Sequence, residues 1–386
     1  MTALTSLLQD EIARLGPMPF ARFMALALYH PEHGYYERDR DPVGRAGDFY
    51  TSVSVGSLFG ELLAWRFAGW LESTRAESVE LIEAGAHDGK LAADILGWLR
   101  AERPALAERL RYTIIEPSAR RQRKQAERLS GVGNRVRWRH DLPAGGAGGA
   151  AVIFSNELLD AFPVHRVGWD APAKCWFEWG VEMSGSGLGW TRLALAESMV
   201  SQVPRSLAAG TDWGDAELAA LLDALPDGFT LELNLAAEAW WSRAAQALSQ
   251  GWLVTLDYGF AAGEVVRPER TQGTLRAYRG HTVSEALLAS PGAQDLTAHV
   301  NFPALQAAGE AAGLRTIELC RQEQFLTRIT AELPCAWTPE RTRQLRTLVH
   351  PAHLGRAFRV LVQARNGAPP GGPNGPAVPG AMTAPR

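Results

Sequence analysis

The 386 residues carry 39 basic and 42 acidic side chains, a net charge of −3 and a pI near 6.3. That balance argues against a protein that holds nucleic acid by bulk electrostatics. With 46% hydrophobic and 21% charged residues, the chain can fill the core of one large domain or two ordinary ones.

Residues 1–75 read as mostly helical, an N-terminal helical cap. The runs LTSLLQDEIARLG, PFARFMALALYH and SVGSLFGELLAWRFAGWLE repeat apolar residues at helical spacing. A polar loop, PEHGYYERDRDPVGRAGDFYTS, separates the last two with glycine and proline punctuation. The first helix carries acids and follows no apolar leader, and no apolar run reaches the ~18 residues that a membrane span needs. Cys175, Cys320 and Cys335 form no CxxC pair and no metal spacing. Such a sparse set fits a reducing compartment; the expected address is the cytoplasm, and no metal is expected.

From residue 76 strands and helices alternate. VELIEAG is a first strand, and KLAADILGWLRAE places Leu91, Ile95, Trp98 and Leu99 on one helical face. LRYTIIEPS is a second strand before the charged helix ARRQRKQAERLSG. RVRWRHDLP is a third, and AVIFSNELLDAFP is a fourth that runs into a loop. Residues 166–249 read as an insertion, because HRVGWDAPAKCWFEWGVEM and GLGWTRLALAES are aromatic-rich alternating runs that suit antiparallel strands. The helix LAAEAWWSRAAQALSQG closes it. A fifth strand, GWLVTLDYG, precedes a loop at about 260–301, the helix FPALQAAGEAAG and the strands LRTIELC and AFRVLVQAR. Residues 76–165 and 250–365 then form the core. The Pro/Gly-rich tail, 366–386, is expected to be disordered. The fold class is α/β and Rossmann-like: an open, seven-stranded, mostly parallel sheet with helices on its faces, an N-terminal helical cap and an inserted antiparallel β module.

The turn after the first strand, EAGAHDGK, fits E-x-G-x-x-x-G through Glu83, Gly85 and Gly89, with His87 at its centre. A turn between a parallel strand and its helix aims backbone N–H groups at a ligand, and glycine lets the ligand approach. Alone, the loop fits a plain βα turn equally well. Three further features add to it. Glu116 ends the second strand, where an acid suits the hydroxyls of a ribose. Asp141 ends the third, where an acid suits an adenine amino group, and SNELLDAFP ends the fourth. Polar groups at successive strand C-termini mark the ligand crevice of open α/β sheets. A dinucleotide presses its pyrophosphate on the helix N-terminus, which favours three glycines. S-adenosylmethionine (SAM) has no phosphate, and acids suit its positive groups. The loop therefore favours SAM over NAD.

The stretches FMALALYHPEHGYY, GDFYTSVSVGSLFGELL, EAGAHDG, IIEPS, NELLDAFPVHR, LDYG, GTLRAYRGH and DLTAHVNF resemble the MidA-like family of SAM-dependent methyltransferases, from about residue 20 to 362. Mitochondrial members of that family help assemble respiratory complex I by methylating an arginine on a partner subunit. The resemblance implies a class I methyltransferase sheet whose cofactor pocket is lined by Gly47, Asp48, Thr51, Gly85, Gly89, Glu116 and Asp141, with Glu83 opening the loop motif. It places Asn156, Glu157 and Asp160 near the transferred methyl. The chain departs from the family pattern at His87, where glycine is usual, and at Val53–Ser54, where Pro-Glu is usual.

A guanidinium acceptor needs carboxylates in a bidentate fork. Glu157 and Asp160 are the candidates, with Glu232 and Asp257 in reserve; the alternative is that Asn156 and Asp160 only brace the loop. His299, or His281, either takes a proton from a neutral nucleophile or holds the long loop. Trp169, Trp176, Trp179 and Trp190 form either a partner surface or the packing of the insertion. Tyr35, Tyr36 and Phe49 either close over the cofactor or pack the cap. The expected activity is SAM-dependent methylation of a protein side chain, arginine first. The alternatives are a small-molecule acceptor, a degenerate methyltransferase fold serving as an assembly or binding factor and, last, an NAD-dependent oxidoreductase.

Overall fold

The computed structural model describes residues 3–38, 51–132, 135–143, 146, 149–185, 187–267, 269–280, 282–351 and 354–366. Its central sheet uses β1 (Val79–Ala84), β2 (Leu110–Ile115), β3 (Val136–Arg139), β4 (Ala150–Asn156), β5 (Gln250–Phe260), β6 (Arg315–Arg321) and β7 (Phe358–Arg365). They lie side by side in the order β3-β2-β1-β4-β5-β7-β6. The first five are parallel, and β7 runs antiparallel to both neighbours. The short strand Val300–Asn301 extends the end of β5. Successive strands leave β1 in one direction and resume at β4 on its other side. The crevice beyond the C-terminal ends of β1 and β4 is therefore the place where the strand order reverses, where such sheets take ligands.

β4 and β5 are buried almost throughout, as strands covered on both faces require. Alternate side chains divide between two cores. One core sets Leu81, Tyr112, Phe154 and Val254 against α3 (Leu58–Ser73) and α4 (Lys90–Glu102), after the cap helices α1 (Ala3–Leu15) and α2 (Phe20–Tyr29) in chain order. The other sets Ile82, Ile153, Leu253 and Leu361 against helices Leu235–Ala247 and Phe302–Ala311.

Three elements sit elsewhere than their sequence suggests. α3, read as part of the cap, packs on the sheet, because ten of its residues around most of its circumference are buried. Helix Leu235–Ala247, read as the end of the insertion, covers the second face of the sheet through Trp240, Trp241 and Ala244. The region at 260–301, read as a loop, contains a three-stranded antiparallel sheet of Arg276–Arg279, Thr282–Ser284 and Asp295–Thr297.

The insertion pairs His165–Asp170, Cys175–Ser184, Gly187–Ala194 and Thr230–Leu233 antiparallel. Met18–Pro19 joins the same sheet, and α1 and α2 pack beneath it with Leu275 and Leu296. Trp169 packs against Trp176 at 5.2 Å, Arg166 lies beside Trp179 and Trp190 at 5.7 and 4.6 Å, and Trp190 also meets Phe20 of the cap at 5.3 Å. Among the described residues no helix is long and apolar enough to cross a membrane. Of the tail, residues 367–386 lie outside the described residues.

Candidate cofactor and acceptor site

After β1 the chain turns through three left-handed residues, Gly85 (φ 75°), His87 (φ 48°) and Gly89 (φ 83°). A side chain at Gly85 would meet Leu158 at 2.8 Å, so the turn lies close against the segment that leaves β4. His87 occupies a region that glycine enters freely and other residues rarely do. Histidine here adopts the conformation that a glycine would supply. Asp88 accepts from the Lys90 N–H, the first of α4, at 3.0 Å and pairs with Arg128 at 2.7 Å. Burial works to raise its carboxyl, but His87, the Lys90 N–H and Arg128 outweigh it and hold it at about 2.

The acids at the strand ends differ in what they face. Glu83 is buried and accepts from the Tyr112 hydroxyl at 2.7 Å; burial pushes its carboxyl up to about 7, with the Tyr112 bond restraining it. Glu116 is buried just beyond β2 and accepts from the Ser118 N–H at 2.9 Å and from Gln125 at 3.1 Å. Burial raises it, against the Arg121 guanidinium. Asp141 is exposed past the end of β3 and pairs with Arg243 at 2.8 Å. Gly47, Asp48, Phe49 and His281 lie outside the described residues.

On the other side of the crevice, Thr51 and Ser54 cap each other across a short turn. Ser54 spends its hydroxyl on the Thr51 carbonyl at 2.8 Å. The Ser52 N–H donates to Glu157 Oε1 at 3.0 Å, as does the Asn156 side chain, so this loop is tied to the end of β4. Glu157 has φ 52° and precedes the single turn Leu159–Ala161. It therefore shares no helical face with Asp160. Burial pushes Glu157 up to about 8.

Asp257, at the end of β5, accepts three successive N–H groups, from Leu158, Leu159 and Asp160 at 3.2, 2.8 and 3.3 Å. Asp160 is buried beside the charges of Asp257, Asp295 and Glu157, and burial first, then those charges, drive its carboxyl far up. Asp295 accepts from Tyr36 at 2.9 Å. The segment after α2 then reaches the cofactor side: the Tyr36 carbonyl accepts from Arg121 at 3.0 Å, and Glu37 accepts from the Ser118 hydroxyl at 2.9 Å. Tyr35 packs in the cap core.

Two of the reserve and proton-transfer candidates stand apart. Glu232 gives one oxygen to the Thr274 N–H and hydroxyl, both at 2.9 Å. His299 keeps an exposed edge, lies tilted against Phe260 with ring centroids 5.2 Å apart and donates its backbone N–H to Thr274 at 3.0 Å. Crowding by the chain on its other sides and the charges of Arg270 and Arg276 push its imidazole below its ordinary value. The sequence names Tyr36 as a lid or cap residue, but its pairing with Asp295 is not visible there. Both lie in stretches that carry the family resemblance, but 259 positions separate them.

The arrangement fits a SAM-type cofactor. The left-handed glycine turn lies in the crevice, Glu116 flanks it, and Asn156 Oδ1 at the end of β4 is buried with no hydrogen-bond partner among the described residues. The sequence pattern of the S-adenosyl-L-methionine-dependent methyltransferases matches residues 62–320. The chain belongs to that family. This methyltransferase is 28% identical to the zebrafish (Danio rerio) mitochondrial protein arginine methyltransferase NDUFAF7 over 78% of its own length and 70% of that protein's. It is also 28% identical to the mouse (Mus musculus) protein of the same name, over 92% and 82%. A crystal structure from Burkholderia thailandensis, bound to S-adenosylhomocysteine, superposes with a TM-score of 0.78 at 29% identity, covering 95% of this chain and 92% of that one. The methyltransferase thus has the α/β fold its sequence suggests, and SAM is its cofactor. The cytoplasmic address does not stand: these curated relatives are named as mitochondrial proteins.

Proposed function

We propose that the methyltransferase transfers methyl groups to an arginine side chain of a protein partner. The observation that carries this reading is the group of carboxylates at the ends of β4 and β5. Among the described residues, Glu157, Asp160 and Asp257 form no ion pair with an arginine or lysine of the chain. Asp295 lies close enough for its charge to act on Asp160. A cationic acceptor would supply the missing positive charge, and the names of the curated relatives support arginine.

Bound SAM supplies an activated methyl on a sulfonium. In this reading Gly85, Gly89 and Thr51 line its binding crevice. Glu116 takes the ribose hydroxyls, Glu83 braces the loop from below, and Asp141 stands at the adenine rim. Glu157 and Asp160 hold the guanidinium and draw its charge away from the attacked nitrogen. Asn156 orients Glu157. Asp257 holds the Leu158–Asp160 backbone in shape, and so aims Asp160. His299, which stands apart from these acids, holds its loop through its backbone N–H to Thr274.

The test is transfer of isotopically labelled methyl from SAM to proteins that co-purify with the enzyme, followed by mass spectrometry of the labelled peptides. The reading expects label on arginine that disappears with Glu157→Gln. Label confined to a small molecule would transfer the function to that acceptor class. Absence of label, with SAM bound, would favour an assembly factor.

A further inference from the structure

Helix Ala119–Arg128 is strongly charged, and its only buried side chain is an amide, Gln125, at 0% exposure. Packing alone would favour an apolar residue there. The amide is instead fully engaged. Its oxygen accepts from the Trp138 indole at 2.8 Å. Its nitrogen donates to the His87 carbonyl at 3.0 Å and to Glu116 Oε2 at 3.1 Å. An indole N–H can only donate, and a carbonyl and a carboxylate only accept, so the orientation of the amide follows from its partners. Met at this position would supply no donor, and Glu would set a second carboxylate beside Glu116.

We infer that Gln125 is a positioning residue for the cofactor, which couples the His87 turn to the Glu116 carboxylate and aims both at the adenosyl group. One bond holds the carbonyl of a residue in an uncommon left-handed conformation. The other fixes the oxygen of Glu116 that lies away from Ser118, so the carboxylate cannot rotate about its stem. Trp138, on the edge strand β3, locks the amide in turn. Gln125 thereby makes a glycine-poor loop and a buried acid into a single recognition surface. The inference rests on the reading that Glu116 takes the ribose hydroxyls.

The experiment compares S-adenosylhomocysteine with its 2′-deoxy analogue by calorimetric titration of the full chain. The proteins are wild type, Gln125→Met, Trp138→Phe and Glu116→Gln, each checked for folding by circular dichroism. The wild type is expected to prefer the hydroxylated ligand. Gln125→Met should weaken S-adenosylhomocysteine about tenfold or more and bring the preference between the two ligands close to one. Trp138→Phe, a milder change at a half-buried position, should move the preference in the same direction and keeps the test open if Gln125→Met does not fold. Equal weakening of both ligands in the Gln125 and Trp138 variants would mean a merely structural role and would overturn the inference, as would unchanged binding. If Glu116→Gln keeps the full preference, the ribose reading fails and takes this inference with it. If Glu116→Gln loses the preference and the Gln125 and Trp138 variants keep it, only the inference about Gln125 fails.

Discussion

The hydroxyl of Tyr36 donates to Asp295 across 2.9 Å and joins the segment after α2 to the small sheet beside the acceptor acids. Asp295 is 1% exposed, and the same oxygen also accepts from the Leu296 N–H at 2.9 Å. Tyr36→Phe removes the donor and keeps the ring. A buried acceptor that loses one of its partners costs about 0.5–1.5 kcal/mol. The expected result is a loss of that size in urea denaturation, with slower methyl transfer and unchanged affinity for S-adenosylhomocysteine. Unaltered stability would show that the bond does not hold the segment.

Glu157→Gln keeps the shape of the side chain and removes the carboxyl that a bound guanidinium would hold in its charged form. S-adenosylhomocysteine affinity should stay within about threefold, while methyl transfer falls by ~100-fold or more, the scale of a lost catalytic group. Full activity would sink the carboxylate clamp. Glu116→Ala should do the reverse in order of cause, abolishing cofactor binding first; unchanged affinity would remove the ribose role.

Burial holds Glu83 at about 7, well above an ordinary carboxylate. Between the ordinary value and about 7 the folded chain keeps a proton that the unfolded chain releases. The stability from this group is therefore fully present at low pH and is lost as pH rises through about 7. The effect is about 3 kcal/mol at most. Glu83→Gln removes this titration and still accepts from Tyr112. Its unfolding free energy should fall less steeply than that of wild type between pH 5 and pH 7.5. Parallel profiles for the two proteins would show that Glu83 is ionised in the fold.

At His87 the backbone, more than the imidazole, sets what the position accepts, since φ is 48°. Left-handed geometry costs a non-glycine residue about 1–2 kcal/mol, and glycine gives up a similar amount through the freedom of its unfolded chain. His87→Gly should leave stability within about 1 kcal/mol of wild type and cofactor affinity nearly unchanged. His87→Val, β-branched at positive φ, should weaken both. The paired titrations would contradict this account if valine bound cofactor as well as glycine.

Much of the core was legible because its strands are short, buried runs between glycine turns. β1 and β5 fall within a residue of the runs VELIEAG and GWLVTLDYG, β2 ends three residues short of LRYTIIEPS, and β4 covers the first part of AVIFSNELLDAFP. α3 and helix Leu235–Ala247 were assigned to the wrong layer because periodicity shows that a face is apolar and not what covers it. The strands within 260–301 were missed because each is only three or four residues long. In the site, Gly85, Gly89 and Glu116 could be read from their place at strand ends. Asp257 could be read only as a reserve, because its donors lie 97 to 99 positions away.

The sequence by itself determined the order of strands and helices, the turn at Gly85–Gly89 and the family, because apolar spacing and glycine geometry are properties of neighbours along the chain. Only the tertiary structure decided which carboxylates gather beyond β4 and β5, that Ser54 caps Thr51 and Gln125 bridges His87 to Glu116. Hydrogen bonds between distant segments are chosen by packing, which brings a donor to an acceptor with no trace in the spacing of either.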